Sequence, residues 1–172
     1  FAAYNNTFST SWYEFFKICR KGQRCSQIMT PDKIKEMLVR HEGLVCHIYK
    51  CTADKNTIGV GRNLDVNGIS EDEALYMLDN DIKRVQEELT KNWGCWRTLP
   101  EKARMVCIDM TFNLGIQGFM RFKRTRELME LGMFLKASEE VLDSRYAVQL
   151  PNRSLYNSRQ LALCQIKPAK IT

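Results

Sequence analysis

Between Leu44 and about Leu64 the chain leaves the helical period that rules most of the rest, and this interruption constrains the fold more than any other feature. Val45, Ile48 and Tyr49 form one short extended piece and Thr57-Ile58-Gly59-Val60-Gly61 a second, with the turn-like Ala53-Asp54-Lys55-Asn56 between them. β-branched and aromatic residues flanking a turn predict a small antiparallel hairpin. Ahead of it, Thr30 can cap a helix whose first position is Pro31, with Ile34, Met37 and Leu38 on one face and Gly43 as the stop. After the loop Asp65-Val66-Asn67-Gly68, Ser70-Glu71-Asp72-Glu73 fits a capping box, and Ala74, Leu75, Leu78, Ile82, Val85 and Leu89 carry a helix to about Lys91.

Beyond Pro100 the period is helical throughout. Helices are predicted from Pro100 to about Leu114 with Val106, Cys107, Met110 and Leu114 inward, around Phe119 to Leu131, over Phe134 to Ser144, and over Asn152 to Cys164. Gly115, Gly118 and Gly132 punctuate them. One helix, a small sheet and then a helical bundle make an α+β fold, with a sheet-rich lobe and a larger helix-rich lobe flanking a cleft. Residues 1–29 read as an N-terminal extension with one short helix carrying Trp12, Phe15, Phe16 and Ile18, and residues 30–172 as the domain proper. A chain that starts at Phe1-Ala2-Ala3 without an initiator Met reads as a processed or excised product, which leaves a preceding domain or virion component open as a partner.

A chain of 172 residues with 44% hydrophobic content suffices for one compact domain. Its formal charge of +6 favours anionic polymers. No Lys/Arg run with interleaved aromatics and no zinc-finger spacing occurs, so nucleic acid is not an expected partner. No run approaches the ~20 apolar residues of a membrane span, so stable membrane insertion is not expected either. Seven cysteines point to an oxidising destination, and an odd count leaves at least one thiol unpaired within the chain. Cys19 and Cys25, bracketing a polar loop, are the first candidates for a disulfide; the alternative for Cys95, Cys107 and Cys164 is that they are small core residues, which is the expectation for Cys107.

A cleft between two lobes suits a long polymer, and cleaving a glycosidic bond needs a protonated acid together with a group that handles water or the developing charge. Glu42 falls just before the Gly43 stop, at the unfavourable negative end of the helix dipole, where a carboxylate without a task is unusual. Partial burial at the junction of helix and hairpin would raise its pKa toward the working pH.

The blocks Glu42-Gly43, Tyr49-Lys50-Cys51 and Thr57-Ile58-Gly59-Val60-Gly61 closely resemble the Glu-Gly, Tyr-x-Asp and Thr-Ile-Gly-x-Gly blocks of the phage-type lysozymes, in order and in spacing. Met110-Thr111-Phe112-Asn113-Leu114-Gly115 resembles that family's central-helix motif, and Ser144-Arg145-Tyr146 with Pro151-Asn152-Arg153 its closing segments, so the resemblance covers roughly residues 33–164. It implies a lysozyme-like fold and a muramidase that cuts the β-1,4 bond between N-acetylmuramic acid and N-acetylglucosamine in peptidoglycan, without metal or cofactor. The place of action would be the bacterial periplasm or cell wall.

By the same resemblance Glu42 is the general acid, and Cys51 stands where many members carry the Asp that positions or activates the attacking water. Thr57 holds that water through its hydroxyl, Arg153 approaches the acid, and Phe112, Asn113 and Arg145 line the cleft. A thiolate can replace the Asp provided its pKa falls from near 8.5. The alternative for Cys51 is a disulfide with Cys46. Arg62 replaces the family's usual His and is expected to pair with Asp81 on the following helix. A Cys–His hydrolase built from His47 and Cys51 fails on distance, about 13 Å along a strand at ~3.3 Å per residue. Two rival functions stand beside the muramidase: a catalytically weak wall-binding module, and an amidase or peptidase that cuts the peptide stems.

Overall fold

The computed structural model describes residues 30–165; the expected N-terminal helix and the Cys19–Cys25 pair lie outside the described residues. Its elements are α1 (Pro31–Glu42), β1 (Val45–Lys50), β2 (Asn56–Gly59), β3 (Arg62–Asn63), α2 (Leu64–Asn67), α3 (Glu71–Asn92), a 3-10 turn over Gly94–Thr98, α4 (Glu101–Met120), α5 (Lys123–Glu130), α6 (Phe134–Leu142), α7 (Arg145–Gln149) and α8 (Pro151–Cys164). The fold is therefore α+β, a small antiparallel sheet followed by a helical bundle. Its contacts divide into two units, one ending at Ile69 and one beginning at Ser70.

In the first unit Pro31 occupies the opening turn of α1 and Gly43 ends it in a left-handed conformation (φ 77°), its N–H closing on Val39 O at 2.9 Å. Thr30 has extended capping geometry, but its side chain makes no cap hydrogen bond. The helix buries none of its residues: Met37 and Leu38 are each 44% exposed. The expected hairpin is a three-stranded sheet in the order β1-β2-β3, with Tyr49 opposite Thr57 and Ile58 opposite Arg62. β3 has two residues, too few for any period to announce it. The expected loop at Asp65 is the short helix α2, because Asn63 caps it by accepting from Val66 N–H at 3.2 Å. Asp65 in turn accepts from the backbone and side-chain nitrogens of Asn56 at 3.0 and 2.9 Å, tying α2 to β2, and those two bonds hold its carboxyl below the usual range.

In the second unit the capping box forms as expected, Ser70 N–H donating to Glu73 at 2.7 Å and Glu73 N–H to Ser70 Oγ at 3.3 Å. Of the apolar face of α3 only Val85 and Leu89 are buried. α4 runs to Met120, beyond the expected end, but breaks at Gly115, whose φ of 68° and ψ of 163° are not helical. Leu89, Val106, Cys107, Met110, Phe119, Leu128, Met129, Val141 and Leu161 form the core, and Trp93 meets Phe119 at 5.8 Å between ring centroids. Arg126 stacks over Trp93, whose indole N–H donates to Glu130. Cys107 is the core thiol expected, held neutral by burial; Cys95 is exposed and Cys164 only partly buried, so neither is a full core residue.

Candidate active site

Glu42, the expected acid, sits at a junction of two glycine-dependent turns. Glu42 ends α1, the left-handed Gly43 redirects the chain into β1, and the carboxylate comes to rest on Gly61 in the turn between β2 and β3. A Cβ placed on Gly61 would stand 3.2 Å from Glu42 Oε2 and 3.6 Å from its carboxyl carbon. Glu42 is otherwise exposed, which corrects the expectation of partial burial: α1 buries nothing, and Gly61 covers the carboxylate with no side chain of its own.

Cys51 lies at the mouth of the turn joining β1 to β2. Its N–H donates to Lys55 O at 3.1 Å, and its carbonyl accepts from Asp54 N–H at 2.9 Å, with Asp54 in the left-handed region (φ 55°). This tight closure brings the backbone of Lys55 and Ala53 and the side chain of Thr57 close enough to favour the ionised form of the thiol. The Lys55 contact foremost, then those of Ala53 and Thr57, pull the thiol below its ordinary range against a smaller opposing effect of burial.

Thr57 is 3% exposed, and its hydroxyl donates to Lys55 O at 3.0 Å while also lying within reach of the Cys51 sulfur. A neutral thiol can donate to the hydroxyl while the hydroxyl proton points at Lys55; a thiolate turns the hydroxyl toward itself. All five cysteines among the described residues, Cys46 and Cys51 included, are free thiols, so the disulfide alternative for Cys51 is not realised.

Arg62, expected to pair with Asp81, is bonded within the first unit. Its Nε donates to Gly68 O at 2.7 Å, while Asp81 pairs with Arg84 on its own helix at 2.9 Å.

The remaining residues predicted for the cleft belong to the second unit. Arg153, expected beside the acid, is engaged by Asp109: Nη2 and Nε approach the two carboxylate oxygens at 2.6 to 3.1 Å. Asn157 donates from Nδ2 to the same carboxylate at 2.7 Å and to the Tyr146 hydroxyl at 3.0 Å. Asp109 on α4 faces the first turn of α8, where the pair with Arg153 is bidentate. Arg153 and Phe112, the latter 43% exposed, line one shallow groove with Leu78, Ile82, Met105 and Ile108. Asn113 is exposed, and Arg145 lines a separate groove with Arg121, Lys123 and Arg124. Sequence reasoning passed over Asp109, although a carboxylate between the inward residues Val106 and Met110 was a signal that something must neutralise it.

Burial pushes the Asp109 carboxyl upward, but Arg153 and Asn157 outweigh it and leave it below the usual carboxylate range. A depressed folded-state pKa contributes stability above the unfolded value that is lost as pH falls through the folded one. Asp109→Asn is therefore expected to cost about 1–2 kcal/mol near neutral pH, a figure discounted for a pair about one-third exposed. The difference from wild type should shrink in acid, as pH falls through the lowered folded-state pKa of Asp109. Chemical denaturation near neutral pH and in acid measures this; a gap that persists undiminished in acid excludes the ionised pair as its cause.

Among the described residues no group of three or more His, Cys, Asp or Glu could hold a metal, and no helix is long and apolar enough to cross a membrane. Residues 39–160 match the phage lysozyme family. Two curated proteins of Dictyostelium discoideum are similar: probable T4-type lysozyme 1, 26% identical over 153 residues covering 72% of this chain and 89% of that one, and probable T4-type lysozyme 2, 25% identical over the same shares.

Proposed function

The chain belongs to the phage lysozyme family, at which level it is a lysozyme-type hydrolase, and from that premise we propose a muramidase acting on the β-1,4 bond between N-acetylmuramic acid and N-acetylglucosamine. One observation carries the reading to this bond: a carboxylic acid and a hydrogen-bonded thiol are both carried by the small sheet and the helix that leads into it.

In the proposed reaction Glu42 gives its proton to the glycosidic oxygen as the bond from that oxygen to the anomeric carbon breaks. Water attacks the anomeric carbon from the opposite face and loses a proton to the Cys51 thiolate. Thr57, shared between the sulfur and Lys55 O, keeps the thiolate in place, so the water is held through the sulfur as well as by the hydroxyl expected to hold it. Both groups then return to their starting states by exchange with solvent. Single displacement inverts the anomeric configuration. The basic surface favours the anionic wall polymer, and the place of action is the bacterial periplasm or cell wall.

Wild-type protein under reducing conditions is expected to clear a peptidoglycan suspension and to release new reducing sugars. New free amines without reducing sugars would instead identify a peptide-stem amidase or peptidase. Binding to the wall without clearing would identify a decayed, wall-binding module.

A further inference from the structure

We infer that Gly61 is a positioning residue for the acid: its missing side chain leaves the space in which the Glu42 carboxylate is set. This rests on Glu42 as the acid and adds what fixes its direction. Glu42 is the last residue of α1, beyond which the backbone turns through a left-handed glycine, so the helix alone leaves its side-chain torsions free. What the carboxylate touches on the sheet side is the bare backbone of Gly61, close enough that a Cβ there would stand 3.2, 3.6 and 3.7 Å from Oε2, Cδ and Cγ. At 3.2 Å the contact is tight enough that one of the two must give by a few tenths of an ångström. The exposed end of Glu42 would yield first, because the turn backbone is held by β2 and β3 on either side.

Gly59, two residues earlier, provides an internal control. Its φ of 68° matches the 70° of Gly61, but a Cβ there meets nothing within 4 Å. Alanine at either position therefore suffers similar left-handed backbone strain. Only at position 61 does the new methyl group press on the acid. The pair separates strain in the turn from displacement of the carboxylate.

The experiment measures kcat and KM separately on soluble, uncrosslinked glycan strands for wild type, Gly59→Ala, Gly61→Ala and Glu42→Gln, with thermal unfolding of each. Both alanine variants should lower Tm by similar amounts. Gly61→Ala should lose roughly tenfold in kcat with KM nearly unchanged, the methyl group displacing the carboxylate by a few tenths of an ångström, whereas Gly59→Ala should lose less than about threefold. Should an alanine variant fail to fold, Gly59→Asn and Gly61→Asn replace the pair, because asparagine tolerates the left-handed region while still supplying a Cβ. Equal losses at positions 59 and 61, with Glu42→Gln inactive, overturn the positioning role alone. Full turnover by Glu42→Gln overturns the assignment of the acid on which it rests.

Discussion

Glu42→Gln is expected to leave a folded protein that releases reducing sugars from peptidoglycan about 10²–10⁴-fold more slowly than wild type, the usual contribution of a positioned general acid. The substitution is nearly isosteric and the side chain is exposed, so the unfolding midpoint should hardly move. The amide occupies the same space on Gly61, and what disappears is the proton for the leaving oxygen. Without it an alkoxide must depart unassisted, a barrier that neither Cys51 nor Thr57 can lower because both act on the water. Reducing-end assays on matched concentrations of both proteins, with circular dichroism as the folding control, check the outcome. Retention of more than about a tenth of the rate would remove Glu42 from the chemistry.

The route to Glu42 through the sequence was short because its signals are local. Gly43, the change of period after it and the spacing to Thr57 all lie within one stretch of chain, as do Ser70 and Glu73 of the capping box. What stayed hidden joins residues far apart or elements too short to carry a period. Gly61 lies nineteen positions from Glu42, and its motif announces a turn without naming what rests on that turn. Arg153 finds Asp109 forty-four positions away, a partner that no pattern within α8 could specify. The strand Arg62–Asn63 arises from pairing with Thr57 and Ile58, and the helix Leu64–Asn67 from the Asn63 cap and the two bonds that Asn56 gives Asp65, where side-chain hydrogen bonds override a composition that reads as loop. The exposure of α1 and of Cys95 errs in the same direction, since apolar character predicts the wish to be buried and says nothing of whether a neighbour arrives.

Cys51→Asp is expected to keep or raise the rate near neutral pH, whereas Cys51→Ala should lose on the order of 10²–10⁴-fold. The reason lies in what the turn does for an anion. The backbone of Lys55 and Ala53 and the side chain of Thr57 favour an ionised group beside them and carry no requirement for sulfur itself, so a carboxylate can enter the same arrangement. In the wild type the rate should climb as pH rises through the Cys51 pKa, which these neighbours bring below the ordinary thiol range near 8.5. In Cys51→Asp the climb should end several pH units lower, because an ordinary aspartate ionises near 3.9.

The two side chains also differ toward electrophiles. Iodoacetamide should inactivate the wild type and a Cys46→Ser variant alike, while leaving Cys51→Asp active. That contrast assigns the inhibition to Cys51 and not to the exposed Cys46. Full activity in Cys51→Ala, or an acidic limb that stays in place in Cys51→Asp, would mean that the water is activated elsewhere and that the lowered pKa of this thiol serves only the turn that creates it.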